Sequence, residues 1–150
     1  MKPMKIKDIK GLKKPITVSL QTPVNELIQK FIDSPLTHQF YIVDEKDKLV
    51  GIINHKLLFR SLFHHYLPPS ARISELYKLA TAVNVGEIIV KDVLSANPDD
   101  KIQDVIKMML ERDIYEVPVL DDAGRLVGKL DVIYFLKSYL SEHPDEEKNE

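Results

Sequence analysis

Two short stretches of this 150-residue chain carry residue types that could hold an anion or a sugar: Gly51-Ile52-Ile53-Asn54 and Gly128-Lys129-Leu130-Asp131. In each, a glycine inside an apolar run is followed three residues later by Asn or Asp, both helix-capping types. A strand that opens directly into a helix presents unpaired N–H groups and the positive end of the helix dipole, which suits a phosphate or a ribose. A plain strand-to-helix turn needs the same small residue and cap with no ligand at all, so on spacing alone both readings stand. Charge separates the two stretches. Asn54 is neutral, with His55 beside it and Lys56 in the first helical turn, so a phosphate would meet an open helix N-terminus and a cation. Asp131 would satisfy its helix with its own carboxylate and repel an anion. A phosphorylated ligand is therefore expected at Asn54, with an uncharged nucleoside or nothing at Asp131.

Other chemistries find no constellation. There is no cysteine, hence no disulfide, thiolate metal site or cysteine nucleophile. The histidines (His38, His55, His64, His65 and His143) show no His-Glu-x-x-His spacing, no serine sits in a Gly-x-Ser-x-Gly elbow, and the carboxylates are dispersed. The expectation is a protein that is not an enzyme, has no metal site and requires no cofactor. Net charge is −2, and Lys5, Lys7, Lys10, Lys13 and Lys14 read as a solvated segment rather than a nucleic-acid surface. Apolar runs such as Phe40-Tyr41-Ile42-Val43 fall far short of the ~20 residues a membrane span needs. Met1-Lys2-Pro3-Met4-Lys5 lacks the apolar core of a signal peptide, so a soluble, cytoplasmic protein is expected.

The elements that must position these residues occur twice. Val24, Leu27, Ile28, Phe31 and Ile32 form one helical stripe, and Ile102, Val105, Ile106, Met109 and Leu110 write it again 78 residues later. Ile6-Lys7-Asp8-Ile9 returns as Val85-Gly86-Glu87-Ile88, Ile42-Val43-Asp44 as Val119-Leu120-Asp121, and Leu49-Val50-Gly51 as Leu126-Val127-Gly128. Each copy reads as an extended entry (Ile16 to Val18, Leu94 to Ala96), a helix, a hairpin and a second helix, in the order β-α-β-β-α. Thr22 with Pro23, and Asp100 with Gln103, read as the starts of the first helices. The second helices are expected from His55 to Tyr66 and from Val132 to Leu140.

This duplicated pattern resembles a tandem pair of CBS domains, a Bateman module, and especially the small stand-alone prokaryotic members. The marks are the Ile-x-Asp-Ile entry, the Val117-Pro118-Val119-Leu120-Asp121 run, and Leu49-Val50-Gly51-Ile52-Ile53 before a helix. The resemblance implies an α/β (α+β) fold of two β-α-β-β-α repeats packed about a pseudo-twofold axis. Repeat 1 would span 4–66 and repeat 2 84–140. A linker with a short helix (Ile73, Leu76, Tyr77, Ala80) would fill 67–83, and an acidic disordered tail 141–150.

Family kinship further implies a regulatory module whose inter-repeat clefts bind AMP, ADP, ATP, S-adenosylmethionine or a cyclic dinucleotide. It also implies a homodimer formed through helices, acting in trans on an effector protein. The family's Gly-x-x-Thr/Ser-x-x-Asp signature departs here: Asn54 and Leu57 stand at the hydroxyl and ribose-carboxylate places of the first copy, Asp131 and Tyr134 at those of the second. Residues matching the family's base-binding side are Thr17, Val18, His38, Phe40 and Tyr41, and in the second copy Ser95, Ala96, Tyr115, Val117 and Pro118. Gly51, Ile53, Asn54 and Lys56, with Gly128, Leu130 and Asp131, complete the candidate nucleotide-binding set. The missing ribose carboxylates leave a second reading, a structural or dimerisation module with degenerate clefts that bind no nucleotide.

Overall fold

A computed structural model describes residues 4–68 and 90–144. The connector helix expected in 67–83, the Val85–Ile88 entry and the tail from residue 145 fall outside the described residues. The chain divides into two compact units, one of residues 16–93 and one of residues 1–15 with 94–150.

In the first unit, β1 (Thr17–Val18) runs parallel to β2 (Gln39–Val43), and β3 (Leu49–Asn54) pairs antiparallel on the other side of β2. Helix α1 (Val24–Asp33) joins β1 to β2, and α2 (His55–Phe63) follows β3 without a break, ending in a 3-10 turn at His64–Tyr66. The α1 stripe supplies Leu27, which packs with Val18, Phe40, Ile42, Ile53 and Leu58 in one core. Phe40, Tyr41 and Ile42 in succession are fully buried, as in a strand covered on both faces.

The second unit repeats the plan with α3 (Ile102–Arg112), β4 (Glu116–Leu120), β5 (Leu126–Asp131) and α4 (Val132–Glu142). Its entry strand shrinks to one parallel bridge, Ala96 to Val119, flanked by Pro98, whose lack of an N–H stops the ladder there. The core consists of Ile102, Val105, Met109, Val117, Val119, Leu130, Ala96 and, from the start of the chain, Ile6.

The compact units thus do not coincide with the sequence copies. Residues 4–15 cross to the second copy: the Ile6 amide bonds the Asp100 carbonyl (3.0 Å), the Ile102 amide bonds the Met4 carbonyl (3.0 Å), and the Lys129 amide bonds the Lys13 carbonyl (3.0 Å). Val90, from the second copy, returns the exchange by pairing with Ile52 in the first unit. Lys129 and Ile52 occupy equivalent places in the two hairpins, so each segment closes the outer edge of the other copy's hairpin, an edge that would otherwise expose unpaired backbone groups.

Thr22 and Asp100, expected as helix caps, instead close the turns before the helices. Thr22 Oγ1 accepts from the Ser19 amide (3.2 Å), and Asp100 Oδ2 from the Asn97 amide (2.9 Å). The flanking residues at the two helix starts are Pro23 and Lys101. A short polar side chain can serve the turn before it or the helix after it, and here the turn wins.

Candidate functional site

Some of the expected site residues, Asn54 and Lys56 in the first copy and Asp131 in the second, lie where each hairpin runs into its second helix. In the first copy Gln39 lies opposite Asn54 and Phe40 opposite Ile53; in the second, Glu116 lies opposite Asp131 and Val117 opposite Leu130. Asn54 Oδ1 accepts from the Leu57 amide (2.7 Å), and Asp131 Oδ1 accepts from the Tyr134 amide (2.9 Å). Both capping residues thus bond the third amide of their helix, the geometry of an N-cap.

The first amide of each helix is also committed. That of His55 donates to the His38 carbonyl (3.1 Å), and that of Val132 to the Tyr115 carbonyl (3.0 Å). The expectation of an open helix N-terminus at Asn54 is corrected here: the two turns satisfy their backbone alike and differ in their side chains. An anion at either turn would rely on side chains more than on helix amides.

Charge is where they part. Asp131 Oδ2 stands 3.4 Å from Lys13 Nζ, and Lys129 Nζ lies 3.0 Å from Glu116 Oε1. The second turn therefore carries two carboxylates, each facing an ammonium. At the first turn the matching residues are the uncharged Asn54, Gln39 and Ile52, and Gln39 Nε2 donates to the Tyr41 hydroxyl (2.9 Å). Lys56 is exposed there.

The remaining expected residues fall into two groups. Val18, Phe40, Ile53, Ala96, Val117 and Leu130 are core residues, and Tyr41, Gly51, Pro118 and Gly128 are buried with them. Gly128 answers a packing demand, since a Cβ there would overlap the Leu12 side chain and come within 3.3 Å of the Lys13 carbonyl oxygen. Thr17, Ser95, His38, Lys56 and Tyr115 are exposed. Tyr115 donates to Asp113 Oδ1 (2.9 Å), and this bond to a carboxylate raises the phenol above its ordinary pKa.

Thr17 and Val18 do not adjoin the Asn54 turn. They line a groove of about 620 Å³ at the far end of β2, with Ser19 to Gln21 on one side and Val43 to Lys46 and Lys48 on the other. Thr17 pairs with Tyr41, three residues along the strand from His38, or about 10 Å. At the equivalent place in the second copy, Asn97 Nδ2 reaches the Leu120 carbonyl (3.3 Å) and Asp122 Oδ1 (3.0 Å), tying entry to turn.

One contact at the Asn54 turn was not expected, that between His38 and His55. His55 Nε2 lies 3.1 Å from Nδ1 of His38. Spacing along a helix cannot reveal that contact, but hairpin register can: the rung after Gln39–Asn54 is His38–His55.

A family model for the CBS domain matches residues 6–64 and 85–140. The chain is 29% identical to MJ1426, an uncharacterised protein of Methanocaldococcus jannaschii, with 83% of this chain and 84% of that protein covered. It is 31% identical to an L-aspartate semialdehyde sulfurtransferase from the same organism, covering 85% of this chain but 22% of the relative, so it spans under a quarter of that enzyme. Among solved structures, the CBS domain pair of protein MJ0100, crystallised with 5-methylthioadenosine and S-adenosyl-L-methionine, superimposes with a TM-score of 0.70 at 26% identity, covering 93% of this chain and 98% of that one.

Proposed function

The chain belongs to the CBS-domain family, and from that membership we propose that it is a regulatory module, not a catalyst, that binds an adenosine-containing ligand and acts on a separate partner protein. The observation that carries this reading is the likeness, over nearly the whole of both chains, to a CBS pair that binds S-adenosylmethionine and methylthioadenosine. An anionic ligand belongs at the Asn54 turn of the first unit. That turn is free of carboxylates on Asn54, Gln39 and Ile52, and exposed Lys56 supplies a cation, whereas at the second turn Lys13 and Lys129 are already matched by Asp131 and Glu116, which leaves no net positive charge for an anion. AMP, ADP and ATP are the anionic candidates; S-adenosylmethionine, whose sulfonium makes it a cation, is a candidate by kinship alone, and each would act as a regulatory ligand rather than a required cofactor.

A second reading, a structural or dimerisation module, is favoured by two specific facts. Leu57 and Tyr134 stand where the family's ribose carboxylate would be, and two of the first-turn amides are already bonded at each helix. In either reading a homodimer would form through helices. Phe59 and Phe63 on α2, and Leu136, Tyr139 and Leu140 on α4, are exposed apolar residues suited to it. No helix among the described residues is long and apolar enough to cross a membrane.

Thermal unfolding with AMP, ATP, S-adenosylmethionine, methylthioadenosine and a cyclic dinucleotide separates the readings. A ligand at 100 times its Kd adds about 2.7 kcal/mol and raises Tm by several degrees. No shift with any of them favours the structural module.

A further inference from the structure

We propose that His38 and His55 together hold a divalent transition-metal ion of the zinc, nickel or copper type. The register of the β2–β3 hairpin puts these residues opposite one another on the rung beyond Gln39–Asn54. The bond from the His55 amide to the His38 carbonyl (3.1 Å) fixes the two backbones at that separation. Nδ1 of His38 and Nε2 of His55 are 3.1 Å apart. That spacing subtends roughly a right angle at an ion about 2.0–2.1 Å from each nitrogen, the usual metal–imidazole distance.

The pair is partly organised before any ion arrives. The His55 ring packs edge-on against Phe31, with centroids 6.1 Å apart. The two imidazoles lie 5.3 Å apart at 70°, an arrangement in which one donates to the other. Both rings are exposed, and each would turn by roughly 40° from the line joining the two nitrogens to aim its lone pair at one ion. Imidazole nitrogen suits zinc, nickel and copper, whereas magnesium and calcium demand oxygen ligands.

Among the described residues no three His, Asp or Glu side chains converge. The protein would thus supply two ligands, with water or an oxygen of an incoming molecule filling the rest, the arrangement of an open site. The feature belongs to the first copy alone, because Tyr115 and Val132 occupy the equivalent rung of the second.

Calorimetric titration of tag-free protein with Zn²⁺, Ni²⁺, Cu²⁺ and Mg²⁺ tests the site. The expected result is one equivalent of each transition metal, with nitrogen ligation in the Cu²⁺ spin-resonance spectrum, and no response to Mg²⁺. His38→Gln and His55→Gln should each weaken binding by more than the roughly 10–100-fold that loss of an outer-shell partner costs. His65→Gln and His143→Gln should leave it intact. Circular dichroism in EDTA checks that the variants fold. Independently, Tyr115→His with Val132→His should transplant the rung and raise the stoichiometry to two. Absence of saturable binding, binding that survives loss of both His38 and His55, or an equal response to Mg²⁺ would overturn the proposal.

Discussion

Gly128 lies beneath Leu12: a Cβ on the glycine would intrude on the leucine side chain and approach the Lys13 carbonyl to 3.3 Å. The contact is where the start of the chain crosses the last strand, and the Lys129 amide bonds that same carbonyl. Gly128→Ala should therefore cost about 1–3 kcal/mol, the usual cost of overpacking. Leu12→Ala combined with Gly128→Ala should be less damaging than the two losses added, because the pair shares one clash. Urea unfolding of the four proteins measures the coupling.

The crossing also predicts where damage spreads. Ile6 is 1% exposed in the core of the second unit, although the sequence pattern groups it with the first copy. Ile6→Ala should cost about 2–5 kcal/mol. Amide hydrogen exchange should speed up at Val117 and Val119 more than at Phe40 and Ile42. Equal effects in both units would count against the exchange of entry segments.

Much of this architecture was legible in the residues because its signals are local. The stripes Val24 to Ile32 and Ile102 to Leu110 repeat the helix period, and the hairpins follow from short apolar runs with four-residue turns. The crossing of residues 4–15 was not legible, since a repeat says that two segments are alike but not which copy each packs against. Likewise, Gly128 carried a signal for close approach without naming what approaches. The His38–His55 contact needed exact register, and the commitment of the His55 amide to the His38 carbonyl depends on the same rung.

The capping residues give a graded test. Asp131→Asn keeps an acceptor for the Tyr134 amide and loses only a contact to half-exposed Lys13, so its stability should change by less than about 1 kcal/mol. Asp131→Ala and Asn54→Ala each remove a cap and should cost about 1 kcal/mol. Chemical denaturation checks all three.

The hairpin turns predict an acid response. Asp44 accepts from the Lys48 and Lys46 amides, and Asp121 from the Arg125 amide and side chain and the Ala123 amide, and these bonds hold both carboxyls below their ordinary pKa. The folded chain thus binds these protons less tightly than the unfolded one. The stability they contribute is present above the ordinary Asp range and is lost as pH falls through the lowered values. Carboxyl NMR titration should find both midpoints below that of a free Asp, and Asp44→Asn or Asp121→Asn should flatten the acid limb of stability.

Isothermal titration of AMP and S-adenosylmethionine into the wild type, Asn54→Asp and Asp131→Asn addresses the regulatory reading most directly. The expected result is saturable binding of AMP that Asn54→Asp weakens at least about tenfold, as a carboxylate placed against an anion should, and that Asp131→Asn leaves unchanged, whereas the sulfonium cation of S-adenosylmethionine should escape that loss. Loss of binding in Asp131→Asn alone would reverse the site assignment, and no saturable heat from either ligand in the wild type would contradict nucleotide sensing altogether.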